Sequence, residues 1–309
     1  MNPSQLNGKI YSEILNEMAL DAHPTKTVQV VIGHKISIEK LKDDIKLDPT
    51  KVQGHNIEIK KEEKYLGQFV PEGGKKQYIE RNIEAKMARI IVTSNEIRNI
   101  LRHPIMSRFG KVLAQKTLIV SQIIPLITYG CQSWLYPNKG QIKMLEKILK
   151  KSLEIVLSLP ANTNYEAMLN QMGLTHIEST INALKLKYFQ NKIHVKKRGV
   201  LYRILREEFL FDIPGGFSEE ISQLCQRYKI PDINLQYVSV EEITEACRLE
   251  SMKRQWEVIN SSKNLPTVTN FSIIKTRSYY KLDSLKARAL LCHNTGNLLT
   301  RKTKNFMFR

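Results

Sequence analysis

From Ile142 to Val156 the apolar residues fall at a helical period. Ile142, Leu145, Ile148, Leu149, Leu153 and Val156 make one stripe, and Lys143, Lys147, Lys150 and Lys151 lie largely off it. A helix patterned this way must bury one face against neighbours while a row of ammonium groups stays in water. The surrounding sequence offers such neighbours. Ile79, Ile83, Met87, Ile90, Ile91 and Ile97 carry a helical pattern through 78–101, broken by Pro104. A second helix is expected over 105–124, with Pro125 kinking it. Pro160 stops the lysine-studded helix, Asn164 to Gln171 reads as a short helix ended by Gly173, and His176 to Lys197 reads as a long one. Residues 75–210 therefore predict a helical bundle.

Residues 1–74 differ in character. Residues 10–20 read as the end of a helix, Pro24 disfavours helix at His23, and Val28 to Ile32 is a short apolar strand closed by Gly33. Ile36 to Ile45 is a charged helical segment, and 52–59 and 64–70 are two strand candidates. Over Lys64 to Val70, strand alternation puts Tyr65, Gly67 and Phe69 on one face and Leu66, Gln68 and Val70 on the other. Pro71, Glu72, Gly73 and Gly74 then read as a turn. Pro-Gly-Gly at 214–216 and a compositional change suggest a boundary near 212. Residues 211–309 are expected to be mixed and mostly helical, with helices near 218–228 and 239–260, strand character within 263–282 and a basic tail. The fold class expected is mainly α with a small α/β N-terminal part.

Charge narrows the function. Lys and Arg number 48 against 30 Asp and Glu, a net charge of +18, and the excess is segregated. Segment 275–309 has nine Lys or Arg and the single acid Asp283, whereas 212–250 has eight acids and three basic residues. A polyanionic partner, nucleic acid, is the reading this favours. Cys131, Cys225, Cys247 and Cys292 are far apart, which argues against a disulfide scaffold or zinc ribbon and for a reducing cytoplasm or nucleus. No signal peptide is evident at the N-terminus. The uncharged stretch Thr117 to Asn138 is diluted by Ser121, Gln122, Pro125, Gln132 and Ser133, so a buried helix is expected there and no membrane partner. No Ser-His-Asp, Cys-His or His-Glu-x-x-His pattern supports a hydrolase. Trp134 and Trp256 sit in apolar context and are expected in the core.

Several short motifs, in order, resemble the C-terminal part of a LINE-type reverse transcriptase from non-LTR retrotransposons. Thr25-Lys26-Thr27 precedes a strand, and Lys64-Tyr65-Leu66-Gly67 is similar to the family's Tyr-Leu-Gly hairpin. Pro125 to Trp134, the lysine-studded helix behind it, and Asn164 to Leu174 are similar to the family's thumb. The resemblance implies an edge of the palm subdomain with a primer-positioning hairpin over 1–74 and a helical thumb over 75–210. It covers 10–200 well and the remainder weakly.

The family's polymerase chemistry uses two magnesium ions held by aspartates. The family's order puts those aspartates upstream of residue 1, so the resemblance implies a chain without them, and with magnesium only if joined to a complete palm. The adjacent acids Asp43-Asp44 are not a substitute, because helical neighbours about 100° apart do not converge on one metal. No metal ligand and no other cofactor is expected. The end at Arg309, without the Cys/His cluster common in the family, is likewise read as truncation.

The resemblance implies that Lys26 lies near leaving-group phosphates. It implies that Lys64, Tyr65, Leu66 and Gly67 position a primer; read as residues, Tyr65 and Leu66 are expected to pack in a core strand, with Lys64 and Gly67 the contact candidates. It further implies that thumb lysines hold an RNA–DNA hybrid or duplex independently of sequence: Lys143, Lys147, Lys150, Lys151, Lys196 and Lys197, with Lys185, Lys187, Lys192 and Arg198. The competing expectation is a non-catalytic nucleic-acid-binding remnant or a module recruited by the host.

Overall fold

The computed structural model describes residues 12–13, 28–30, 51–52, 55–56, 58–71, 75–102, 111–161 and 163–261. Among these, 74% are helical and the strands are short, in accord with a mainly α chain carrying a small sheet region near its N-terminus. Lys26, the Asp43-Asp44 pair, the expected helix over 36–45 and the expected strand within 263–282 lie outside the described residues. Contact density divides the chain into Met1–Asn82 and Ile83–Arg309, the division falling inside the helix α1, Lys75–Arg102.

In the first unit β1 (Val28–Val30) pairs parallel with β4 (Glu58–Lys60). The strands β2 (Lys51–Val52) and β3 (His55–Asn56) make a short antiparallel pair. The pair β5 (Glu62–Tyr65) and β6 (Gln68–Pro71) forms a hairpin in which Tyr65 faces Gln68, Lys64 faces Phe69 and Glu62 faces Pro71. The expected continuous strand over 64–70 is therefore corrected. The chain reverses at Leu66-Gly67, where both residues have positive φ, +46° and +80°. Two positive-φ residues in a two-residue loop are what a twisted hairpin selects, and Gly67 takes that conformation without a Cβ penalty.

In the second unit α2 (Lys111–Leu118), a π turn (Ile119–Ile123) and α3 (Ile124–Thr128) follow one another without a break. Pro125, which has no N–H to donate into this run, sits directly behind the π turn in the first turn of α3. The helix α4 (Lys139–Leu157) begins with a capping box: Asn138 Oδ1 accepts the Gln141 N–H and Gln141 Oε1 accepts the Asn138 N–H, both at 2.9 Å. The stripe identified in the sequence is its buried face. In α5 (Tyr165–Met172) Asn164 Oδ1 accepts the Ala167 N–H, and Gly173 closes the end with φ +62°.

The long helix expected over 176–197 is α6 (Ile177–Gln190) followed by a second π turn (Asn191–Val195). It is the spine of the unit, packing against α4, α8 (Phe217–Tyr228) and α9 (Val240–Ser261). One hydrophobic cluster joins Leu186 and Phe189 of α6 to Leu205 of α7 (Val200–Leu210), Ile221 and Leu224 of α8, and Ile243 and Cys247 of α9. Phe189 stacks on Phe217 with ring centres 5.9 Å apart. The composition change near 212, read above as a boundary, thus lies within one packed core. Each fully buried Leu, Ile or Phe stabilises it by about 1.5–3 kcal/mol.

Candidate nucleic-acid interface

The β5–β6 hairpin is clamped by two side chains of α1, Asn82 and Arg81. Asn82 Oδ1 accepts the Phe69 N–H at 2.9 Å, and Asn82 Nδ2 donates to the Phe69 and Tyr78 carbonyls at 2.8 Å. Arg81 forks onto both Glu62 carboxylate oxygens at 2.8 Å and lies 4.4 Å from the Phe69 ring centre. The Arg81 hydrogen bond holds the Glu62 carboxyl below its ordinary range despite some desolvation. These contacts fix the root and leave the tip in solvent. Tyr65 is 69% and Leu66 74% exposed. The expectation that both pack is corrected: at the reversal Leu66-Gly67 their side chains are exposed, as are Lys64 and the Gly67 backbone.

On α4, Lys143, Lys147 and Lys151 are exposed and spaced by four residues. That spacing sets successive ammonium groups about 6 Å apart along the axis, drifting slowly around it. Lys150 is half-buried with its Nζ 3.8 Å from Glu154 Oε1, so it belongs to the edge of the row. Lys196, Lys197 and Arg198 are exposed just ahead of α7. Lys192 is half-buried with its Nζ 5.2 Å from the Tyr188 ring centre, and Lys187 is also half-buried.

Lys185 is corrected outright. Its side chain is 0% exposed and its Nζ donates to Glu220 Oε1 at 2.6 Å. Burial pushes its amine down from the ordinary lysine range, against the pull of Glu220. The same carboxylate oxygen accepts the Tyr136 N–H at 3.0 Å.

The Pro125 to Trp134 motif proves to be an architectural joint. Tyr129 N–H donates to the Pro125 carbonyl at 2.9 Å, and a 3-10 turn, Cys131–Ser133, delivers Trp134 to a site of 0% exposure. Trp256, expected in the core as well, is instead 39% exposed. Lys86 of α1 lies 5.0 Å from the Trp134 ring centre and 5.7 Å from that of Tyr129, and it donates to the Tyr129 carbonyl. Burial lowers the Lys86 amine to about 8, with the nearby Cys131 thiol opposing. Burial also raises the Cys131 thiol to about 12.

Sequence inspection missed one further arrangement. His176 Nε2 lies 2.7 Å from Glu166 Oε2, and its Nδ1 lies 2.8 Å from Ser251 Oγ. The Ser251 oxygen also accepts the His176 backbone N–H at 2.8 Å. His176 and Ser251 are both buried and no substrate reaches the hydroxyl, so this chain fastens the start of α6 to α9 rather than performing acyl transfer. Residues 75 positions apart meet here, and no local spacing announces them. Among the described residues no group of three or more His, Cys, Asp or Glu could hold a metal ion.

One stretch, Val112–Ser133, is long and apolar enough to cross a membrane, with a mean hydropathy of 1.3. Ile119, Ile123 and Ile127 of that stretch are at 0% exposure in the helical core. No protein-family model, no curated protein and no solved structure matches the chain. The structure defines a helical unit with exposed basic rows, preceded by a clamped hairpin with an exposed aromatic tip.

Proposed function

We propose that the chain is part of a LINE-type retrotransposon RNA-directed DNA polymerase, palm edge and thumb, that grips an RNA–DNA hybrid or duplex and does not polymerise by itself. The observation that carries the reading is the α4 row: Lys143, Lys147 and Lys151 exposed at four-residue intervals, opposite the buried stripe of Ile142, Leu145, Ile148, Leu149, Leu153 and Val156. A row of this kind neutralises phosphates without reading bases, which suits a thumb that must hold any sequence. The exposed Tyr65 and Leu66 beside Lys64 supply a second, separate contact element, with chemistry suited to a terminal base and its phosphate. Lys26 keeps the role the resemblance implies, near leaving-group phosphates. Magnesium enters only with the carboxylates of a complete palm.

The test is the salt dependence of hybrid binding, read by fluorescence anisotropy. Wild-type affinity falls steeply from low to moderate salt. In Lys143→Glu/Lys147→Glu/Lys151→Glu the log–log slope is shallower by about one unit per lysine removed. A slope unchanged by the triple variant removes the row from the interface. Primer extension with magnesium is expected to give no product, and extension by the purified chain would overturn the non-catalytic half of the reading.

A further inference from the structure

A groove of about 500 Å³ runs along α7, between that helix and the segment leading into it. Lys197, Arg198, Tyr202, Arg203 and Arg206 line it, with Leu210 at one end and Glu207 as its one acid. Arg203, Arg206 and Leu210 follow the three- and four-residue steps of one helix face, and Tyr202 adjoins Arg206 by one turn. Leu205, 4% exposed, is the residue that anchors α7 in the core, so the groove-facing side is left open to solvent. Among the described residues none of the four cations has an ion-pair partner. Four unpaired cations in one concavity repel one another, which is sustained at a cost and relieved by an anion.

We propose that this groove binds single-stranded nucleic acid, with the Arg203 and Arg206 guanidinium groups on backbone phosphates and Tyr202 as the surface on which a base stacks. The proposal rests on the reading of the chain as a nucleic-acid-binding protein and adds a second, distinct subsite to it. Guanidinium forks match phosphate oxygens in pairs, and an aromatic wall accepts any base face. The α4 row is a line of point charges on a convex helix, suited to a stiff duplex. The α7 groove is concave and has an aromatic wall, which suits a strand whose bases are unstacked and free to turn inward. Anionic lipid is the less fitting occupant. A bilayer meets convex faces, and the apolar residues it would cover, Val200, Ile204 and Phe211, lie on a neighbouring arc outside the groove lining.

The experiment compares wild type with Tyr202→Ala and with Arg203→Ala/Arg206→Ala. A labelled single-stranded oligothymidylate and a labelled RNA–DNA hybrid are the probes, with circular dichroism as the check on folding. Both arginines are exposed, so the double variant is expected to fold as the wild type does. Single-strand affinity is expected to fall on the order of tenfold in each variant, within the range of a lost base stack, while hybrid affinity stays within about twofold. An unchanged single-strand affinity overturns the groove, and so does an equal loss for both probes. Flotation with phosphatidylserine vesicles is the third arm. Vesicle binding lost in Arg203→Ala/Arg206→Ala, from a protein that takes no single strand, assigns the groove to lipid and overturns the proposal. If the α4 triple variant leaves hybrid binding untouched while Tyr202→Ala still loses the single strand, the thumb reading fails and the groove stands.

Discussion

Replacing Lys185 by methionine tests the interior of the helical unit. Methionine is close to lysine in length and volume, so the packing around α6 is largely kept. What disappears is the partner of Glu220, whose side chain is 6% exposed and whose Oε1 lies 2.6 Å from the Lys185 ammonium. Removing one member of a buried pair costs about 3–5 kcal/mol, because a desolvated charge is left behind. Two features pull the expected value to the lower end. Glu220 keeps the Tyr136 N–H at 3.0 Å, and burial has already weakened the hold on the Lys185 proton. The expectation is therefore a loss of about 3 kcal/mol at neutral pH. For a unit of this size that corresponds to roughly 6–12 °C in Tm. In Lys185→Met/Glu220→Gln the carboxylate charge is gone while an oxygen remains for Tyr136, and stability returns to within about 1 kcal/mol of wild type. Urea unfolding followed by far-UV circular dichroism gives both values. Equal and small losses in the single and double variants would show that the pair carries no coupling, and the reasoning would fail.

Two further outcomes are expected elsewhere in the chain. Lys86 titrates at about 8 in the folded chain against an ordinary value of 10.5, so between those values the unfolded chain binds more protons and this group's contribution to stability rises with pH. The difference in urea midpoint between wild type and Lys86→Met should change over that window, and a pH-independent difference would contradict the depressed amine. Gly67→Ala forces a Cβ into φ +80° at the hairpin turn, a strain of about 1–2 kcal/mol. Limited proteolysis beside Tyr65 should quicken in Gly67→Ala and change little in Gly67→Asn, since Asn tolerates the left-handed region.

What the sequence revealed depended on whether the signal was local. The α4 stripe, the short helix from Asn164 to Gln171 and the Gly173 stop are encoded within one or two turns, and they reappear at Ile142 to Val156, Tyr165 to Met172 and Gly173. The hairpin misled because strand alternation over 64–70 is the same pattern whether the chain runs straight or reverses at Leu66-Gly67. The positive-φ pair decides it; in the residues themselves Gly67 was the hint, beside the hairpin that the resemblance implied. Lys185 misled for the opposite reason. As one lysine among several in a segment expected to be a long helix it had no distinguishing neighbour, and its partner Glu220 stands 35 residues away in another helix. The Glu166, His176 and Ser251 chain and the Lys86 site over Trp134 are of the same kind, assembled by packing between distant helices. The α7 groove was half legible. Lys197 and Arg198 were among the residues the resemblance named, while Tyr202, Arg203 and Arg206 became a site only once the fold gave them a concave surface.

The π turn at Ile119–Ile123 sets the rotational phase of everything that follows it. Gln115, Ile119, Ile123 and Ile127 all face inward, each four residues after the last. In a regular helix three such steps would carry Ile127 about 120° around the axis from Gln115. The wider turn absorbs part of that drift, as an inserted residue would. Removing one residue from this turn would restore an ordinary helix and swing Ile127, the Cys131–Ser133 turn and Trp134 by about 100°, away from Lys86 and from their places in the core. The orientation of that joint is inherited from the backbone upstream of it, so a change of length within the helix that leads into it would be felt at Trp134, well beyond the altered turn.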